Sequence, residues 1–276
     1  MIKTYYQTSL TPEWATVPRQ VIPYFGSKWR MPSEVFQEFP LHTIYHQPFC
    51  GGASTLFKKA LSEIEIVSDL NPGLINCLKV IKSHPHQLIK ALNSTPRTKE
   101  EFTVCFQPHE NSIEWARRYL CLAHGGYMGA GGRWSGGCSE DGLKRLQEVD
   151  WSFLWAASDR LSRVVISRLD AIESMQVWDA SDTFHYVDPP YPKEARGSRD
   201  NRHQDGAPRR QYAFEMLDEN SHRALAYCLH NLRGKVAISG RDCPLYNSLY
   251  KRWWRIEWKT QDSDRSAATE VVWFNY

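Results

Sequence analysis

The sequence predicts a mostly parallel α/β sheet interrupted near its middle by a helical, glycine-rich insertion. Two observations carry this. Short apolar runs that end in Gly, Asp or Pro alternate with helical patterns over residues 43–84 and again over 163–239. Between them, from about 88 to 155, the apolar spacing is helical and no strand-like run occurs. The length, 276 residues, fits one large domain or one domain carrying a sizeable insertion.

The elements follow in order. Residues 43–49 are extended and end at Gly51-Gly52, after which 53–62 read as a helix. Residues 65–69 form a second short apolar strand. Asn71-Pro72 then opens a helix in which Leu74, Ile75, Leu78 and Ile81 recur at helical spacing, with Pro just inside the start. Seven of the thirteen residues from 125 to 137 are Gly, which makes that stretch a loop. Strands return at 163–167, 184–188 and 235–239, with a helix over 218–232. Residues 255–258 and 270–274, separated by a turn-rich segment, read as a hairpin at a sheet edge.

Composition excludes several classes. Apolar residues at 42% and charged residues at 24% are those of a globular chain, not a disordered or coiled-coil one. No run of ~20 apolar residues exists, so no membrane-spanning helix is expected. The opening residues hold no apolar core of a secretory signal. Seven scattered cysteines without a CxxC pair argue against a disulfide framework or a zinc site and fit a reducing cytoplasm. A net charge of only +3 confines any nucleic-acid footprint to a local patch.

Four segments could carry chemistry. Pro48-Phe49-Cys50-Gly51-Gly52-Ala53-Ser54 closes the first strand, where an open α/β sheet binds ligands. Its glycines either admit a ligand to the backbone or make a plain tight turn. Asp69 ends the next strand. It either accepts from ribose hydroxyls or caps the helix behind Asn71. Asp188-Pro189-Pro190-Tyr191 ends a third strand. Two prolines present carbonyls on a rigid chain, Asp adds an acceptor, and the set can take both protons of an exocyclic amino group while Tyr191 offers a stacking face. Pro23-Tyr24-Phe25-Gly26-Ser27-Lys28 places an aromatic ring and a cation around a glycine turn.

In this order, the segments 24–28, 48–54, Asp69-Leu70-Asn71 and Asp188–Tyr191 resemble the Dam-like class of DNA adenine-N6 methyltransferases. Ser239-Gly240, Pro244-Leu245-Tyr246 and Thr269-Glu270-Val271-Val272-Trp273 extend the resemblance, which covers roughly 20–84 and 160–276. Two positions depart from the pattern: Ala53 stands for a third Gly, and Ser27 for the second Gly before the lysine.

The resemblance implies a Rossmann-like class I S-adenosylmethionine-dependent methyltransferase sheet. It implies a catalytic part over 1–90 and 160–276 and a helical target-recognition insertion over 91–159. It implies that Phe49, Cys50, Gly51, Gly52 and Ala53 line the cofactor path, that Asp69 holds the ribose, and that Tyr24 and Lys28 close over the cofactor. Asp170 either takes the cofactor's adenine amino group or caps a strand end. Asp188, Pro189, Pro190 and Tyr191 would hold a flipped adenine in double-stranded DNA. DNA contacts are expected from Arg117, Arg118, Arg133 and Trp134 in the insertion, and from Arg196 and Arg199 after the tetrapeptide. No metal is expected. The implied setting is the cytoplasm of a bacterium or a phage-infected host, and cytosine-N4 methylation or an inactive DNA-binding module are the alternatives.

Overall fold

The computed structural model describes residues 2–6 (as backbone), 17–126, 144, 146–196, 214–261 and 267–276. Chain order begins with β1 (Ile2–Tyr6), α1 (Ser33–Gln37), β2 (Ile44–Gln47), α2 (Ser54–Lys58), β3 (Ile64–Ser68) and α3 (Pro72–Ser83). Next come α4 (Pro85–Asn93), α5 (Lys99–Val104), α6 (Ser112–Gly125) and α7 (Phe153–Leu161). The remainder is β4 (Val165–Ser167), α8 (Ala171–Trp178), β5 (Thr183–Val187), α9 (Glu219–Asn231), β6 (Lys235–Arg241), α10 (Pro244–Leu249), β7 (Trp254–Gln261) and β8 (Ala267–Phe274).

The strands form one sheet in the order β1-β7-β8-β6-β5-β2-β3-β4. Pairing is parallel from β4 through β6, and β8 runs antiparallel to both neighbours. The expected hairpin is therefore present, but its second strand lies inside the sheet. The outer side of β7 is itself covered by β1, in parallel register Ile2↔Arg255. The expected helix over 53–62 is one short turn and a half, because Lys59 is already extended.

Alternate residues divide the core between two faces, as a strand's period of two requires. Phe184 and Tyr186 of β5 and Val272 and Phe274 of β8 join one cluster with Leu78 of α3, Leu120 of α6 and Leu154 of α7. Val187, Val271 and Trp273 join the other with Met175 of α8 and Leu225 of α9. Helices α6 and α7 thus pack on α3 and share the main core.

The chain runs outward through β2, β3 and β4, then returns to place β5 on the other side of β2. That reversal opens a crevice beyond the carboxyl ends of β2 and β5, where open α/β sheets bind ligands. His46 and His185 are register partners on these strands. Their Nδ1 atoms lie 3.0 Å apart, and His46 Nε2 lies 2.9 Å from Ser174 Oγ. A hydrogen bond between the two Nδ1 atoms needs one ring to donate and the other to accept, so at least one ring is neutral. Burial pushes His46 down to about 2, with the neighbouring ring adding to it, and His185 down to about 4 against the pull of Asp179. Below the ordinary histidine value of 6.5 the unfolded chain binds protons that the folded chain refuses. Stability is then full above that value and falls as the pH drops below it, by up to about 1.4 kcal/mol per pH unit for each refused proton. Scanning calorimetry should show Tm falling between about pH 6.5 and about pH 5; a flat Tm there would mean that the rings already carry charge in the folded state.

Candidate active site

At the end of β2 the chain must turn under Ile22 and Tyr24. Gly51 has φ +47°, and a Cβ there would lie 3.1 Å from the Tyr24 ring. A Cβ at Gly52 would lie 2.2 Å from the Ile22 carbonyl oxygen, so no side chain fits. Ala53 has φ 52°, a left-handed position that costs roughly 1–2 kcal/mol for a residue with a Cβ. Its methyl group is fully buried, which offsets part of that cost and lets Ala stand where the family pattern has Gly.

Asp69, beyond β3, ties this turn to its neighbour. One carboxylate oxygen accepts from Gly51 N at 3.0 Å and the other from Asn71 N at 2.9 Å. The helix cap is Asn71, which accepts from Gly73 N and Leu74 N. Asp69 is therefore not the N-cap, and its carboxylate keeps acceptor capacity beyond these amides. Burial raises its pKa against the pull of these backbone donors. Ser27 has its own place: its Oγ lies 2.7 Å from Ser54 Oγ and accepts from Gln20 and Trp29 N, fastening the 24–28 turn to α2.

Lys28 is buried, and its Nζ lies 2.8 Å from Asp188 Oδ1 and 3.0 Å from both Asp188 Oδ2 and the Gly26 carbonyl. Burial raises the Asp188 pKa, Lys28 draws it back, and Glu270 adds to the rise. Behind Asp188, the Tyr191 hydroxyl donates to Glu270 Oε2 at 2.5 Å, with Lys28 Nζ 5.1 Å from the ring centroid and Arg241 Cζ 5.7 Å. Arg196 donates to the Tyr191 carbonyl at 2.8 Å and pairs with Glu215 at 2.7 Å.

Ser27, Lys28, Gly51, Gly52, Asp69, Asp188 and Glu215 line a cavity of about 330 Å³, within the range of small-molecule sites. Of the residues expected from sequence, Tyr24, Lys28, Phe49, Cys50, Gly51, Gly52, Asp69, Asp170, Asp188 and Pro190 line it. Pro189, Tyr191 and Ala53 lie outside that lining and are buried. Asp170 lines the cavity and caps α8 by accepting from Ile172 N and Glu173 N.

The sequence reading missed Ser27, Glu215 and Glu270. Ser27 was visible only as a departure from the family pattern, and Glu270 only as part of a matching segment. The expected DNA contacts fare differently. Arg117 is turned inward: its guanidinium is spent on Glu114, Glu101 and Thr95. Arg118 is bound to Glu114 and the Gln107 carbonyl. Arg196, buried against Tyr191 and Glu215, is likewise engaged inside the protein. These three assignments are corrected, because a guanidinium filled by internal carboxylates and carbonyls is not presented to a phosphate. Arg133, Trp134 and Arg199 lie outside the described residues.

The cavity suits S-adenosylmethionine in chemistry as well as size. Among its lining residues, Asp69 could accept from a ribose, and Phe49 and Ile172 could wall an adenine ring; Lys28 is already paired with Asp188. With the antiparallel β8 set between β6 and β7, the fold and cavity define a class I S-adenosylmethionine-dependent methyltransferase. Residues 24–123 match the D12 class N6 adenine-specific DNA methyltransferase family. The chain is also 23% identical over 286 residues to the Type II methyltransferase M1.LlaDCHI of Lactococcus lactis subsp. cremoris, covering 96% of this chain and 94% of that protein. This similarity and the site together make the protein an adenine-specific DNA methyltransferase, and its substrate is DNA.

Proposed function

We propose that the enzyme methylates adenine N6 at a defined sequence in double-stranded DNA, acting as a monomer on a base turned out of the helix. The observation that carries this is the Asp188 carboxylate at the end of β5, facing the same cavity as Asp69, Gly51 and Lys28. An adenine amino lone pair is delocalised into its ring and attacks poorly. Asp188 and the Pro189 carbonyl accept the two amino protons, which draws the nitrogen toward tetrahedral geometry and returns the lone pair to it. Tyr191 stacks on the extruded base, whose unstacking costs a few kcal/mol. S-adenosylmethionine supplies the electrophilic methyl group. Tyr24 and Lys28 hold it, with Phe49–Gly52 as floor, Asp69 on the ribose and Asp170 at the adenine. Positioning of this kind contributes much of the acceleration.

In this reading residues 1–90 and 160–276 carry catalysis, and 91–159 read the target sequence, with Arg133 and Trp134, and Arg199 after the tetrapeptide, reaching DNA. The name of the lactococcal relative supports a restriction-modification setting in a bacterial or phage-infected cytoplasm. The test is nucleoside mass spectrometry of DNA from a methylation-free host expressing the protein. N6-methyladenine is expected; N4-methylcytosine, or no modified base, would overturn the assignment.

Asp69→Ala should weaken S-adenosylmethionine binding by ~1–3 kcal/mol, the scale of a lost charged hydrogen bond. The loss includes the Gly51 and Asn71 amides left without their acceptor. Titration calorimetry on the folded variant measures it, and wild-type affinity would restrict Asp69 to shaping the turn.

A further inference from the structure

The geometry points to Glu270 as a positioning residue that acts through Tyr191. This rests on the reading of Asp188–Tyr191 as the adenine site. Glu270 stands on β8, seventy-nine residues beyond Tyr191, and its carboxylate accepts a hydrogen bond from the phenol hydroxyl at 2.5 Å. The same carboxylate lies 3.5 Å from Arg241 Nε and 3.8 Å from Lys28 Nζ. Those two cations are the ones set near the Tyr191 ring. A stacking platform works only if its ring cannot swing. Rotation about the last side-chain bond leaves the hydroxyl on its axis, so the bond to Glu270 does not stop a ring flip. It stops the whole ring from swinging about the first side-chain bond. The cations and the buried packing then fix the plane.

Glu270 also ties the tetrapeptide to a second part of the sheet. Tyr191 leaves the end of β5, whereas Glu270 is anchored in β8, where its register partners are Arg241 on one side and Trp258 on the other. The adenine platform is thereby held from two strands. Stacking alone would leave Tyr191→Phe mild; the grip on the phenol reverses that expectation.

The test is a double-mutant cycle on the full chain, with tritiated S-adenosylmethionine and unmethylated plasmid DNA from a methylation-free host. Glu270→Ala and Tyr191→Phe should each lower kcat/KM for DNA by about tenfold or more, and the double variant should fall no further than the worse single, within about twofold. Glu270→Gln, whose amide carbonyl still accepts the phenol proton, should stay within about threefold of wild type, and S-adenosylmethionine affinity within about twofold in all of them. Losses that multiply, a Glu270→Gln as damaged as Glu270→Ala, or a Tyr191→Phe with wild-type kcat/KM would each overturn the proposal. The Tyr191→Phe arm decides even if Glu270→Ala does not fold. Asp188→Ala run alongside separates the two levels. Turnover retained there removes the adenine-site reading itself, whereas a dead Asp188→Ala with multiplying losses removes only the role of Glu270.

Discussion

Asp188→Ala should abolish measurable methyl transfer, a loss on the order of 10²–10³-fold or more, the scale seen when a preorganised hydrogen-bonding group is removed from a reacting centre. Two consequences of the deletion add. The target amino group loses its charged acceptor, so the nitrogen lone pair stays in the ring. Lys28 loses the partner that binds it through both carboxylate oxygens and is left beside Glu270 at 3.8 Å. Because Asp188 also lines the cofactor cavity, S-adenosylmethionine affinity should fall in the same variant. Asp188→Asn keeps the volume and one carbonyl but turns a donor toward the amino group, so it should also be severely impaired. The sign of the pH dependence follows from the raised pKa of Asp188. Once protonated, the group becomes a donor, so activity should fall on acidification, and from a higher pH than an ordinary exposed carboxylate would give. Single-turnover assays on folded protein are the measure, and wild-type turnover in Asp188→Ala would end the reading of this tetrapeptide.

Three of the four segments that compose the cavity were legible because each lies at the carboxyl end of a strand marked by Gly, Asp or Pro; the fourth, 23–28, precedes β2 and showed only as an aromatic ring and a cation around a glycine turn. A buried strand needs an apolar run, and a turn that admits a ligand needs residues of special backbone freedom. Both requirements are local, so the sequence carries them openly at 43–54, 65–69 and 184–191. What stayed hidden depends on distant pairing. β1 is a five-residue strand recognisable only through its register with β7, some 250 residues later. Glu270 meets Tyr191 across seventy-nine residues, and no local pattern announces it. Arg117 and Arg118 are a different case. Glu114 stands three and four residues before them on α6, a spacing that on a helix brings the charges together and was present in the sequence. Two adjacent arginines attract a reading as a DNA contact until that carboxylate is counted.

The largest stability loss should come from Glu65→Ala, far from the chemistry. Glu65 is the second residue of β3, at the opposite end from Asp69. Its carboxylate is buried between Arg160 of α7 and Lys59, which follows α2. Arg160 reaches both oxygens and also the Leu56 carbonyl, and Lys59 lies over the Tyr45 ring at 4.3 Å. Burial alone would raise the Glu65 pKa, but the two cations outweigh it and hold the group below its ordinary range; burial takes Lys59 down to about 8. Removing the carboxylate strands two cations in the interior, a defect that costs about 3–5 kcal/mol. For a chain of this size that is a fall in Tm on the order of 10 °C. The exposed pair Arg223–Glu219 gives the contrast: solvent screens it, and Glu219→Ala should cost no more than about 0.5 kcal/mol. Since the buried triad touches no part of the cavity, Glu65→Ala should bind S-adenosylmethionine with wild-type affinity well below its melting point. Calorimetric melting of the two variants decides it. Equal losses would mean that water reaches the Glu65 site, and a Glu65→Ala as stable as wild type would mean that the triad contributes nothing to holding α7 on the sheet.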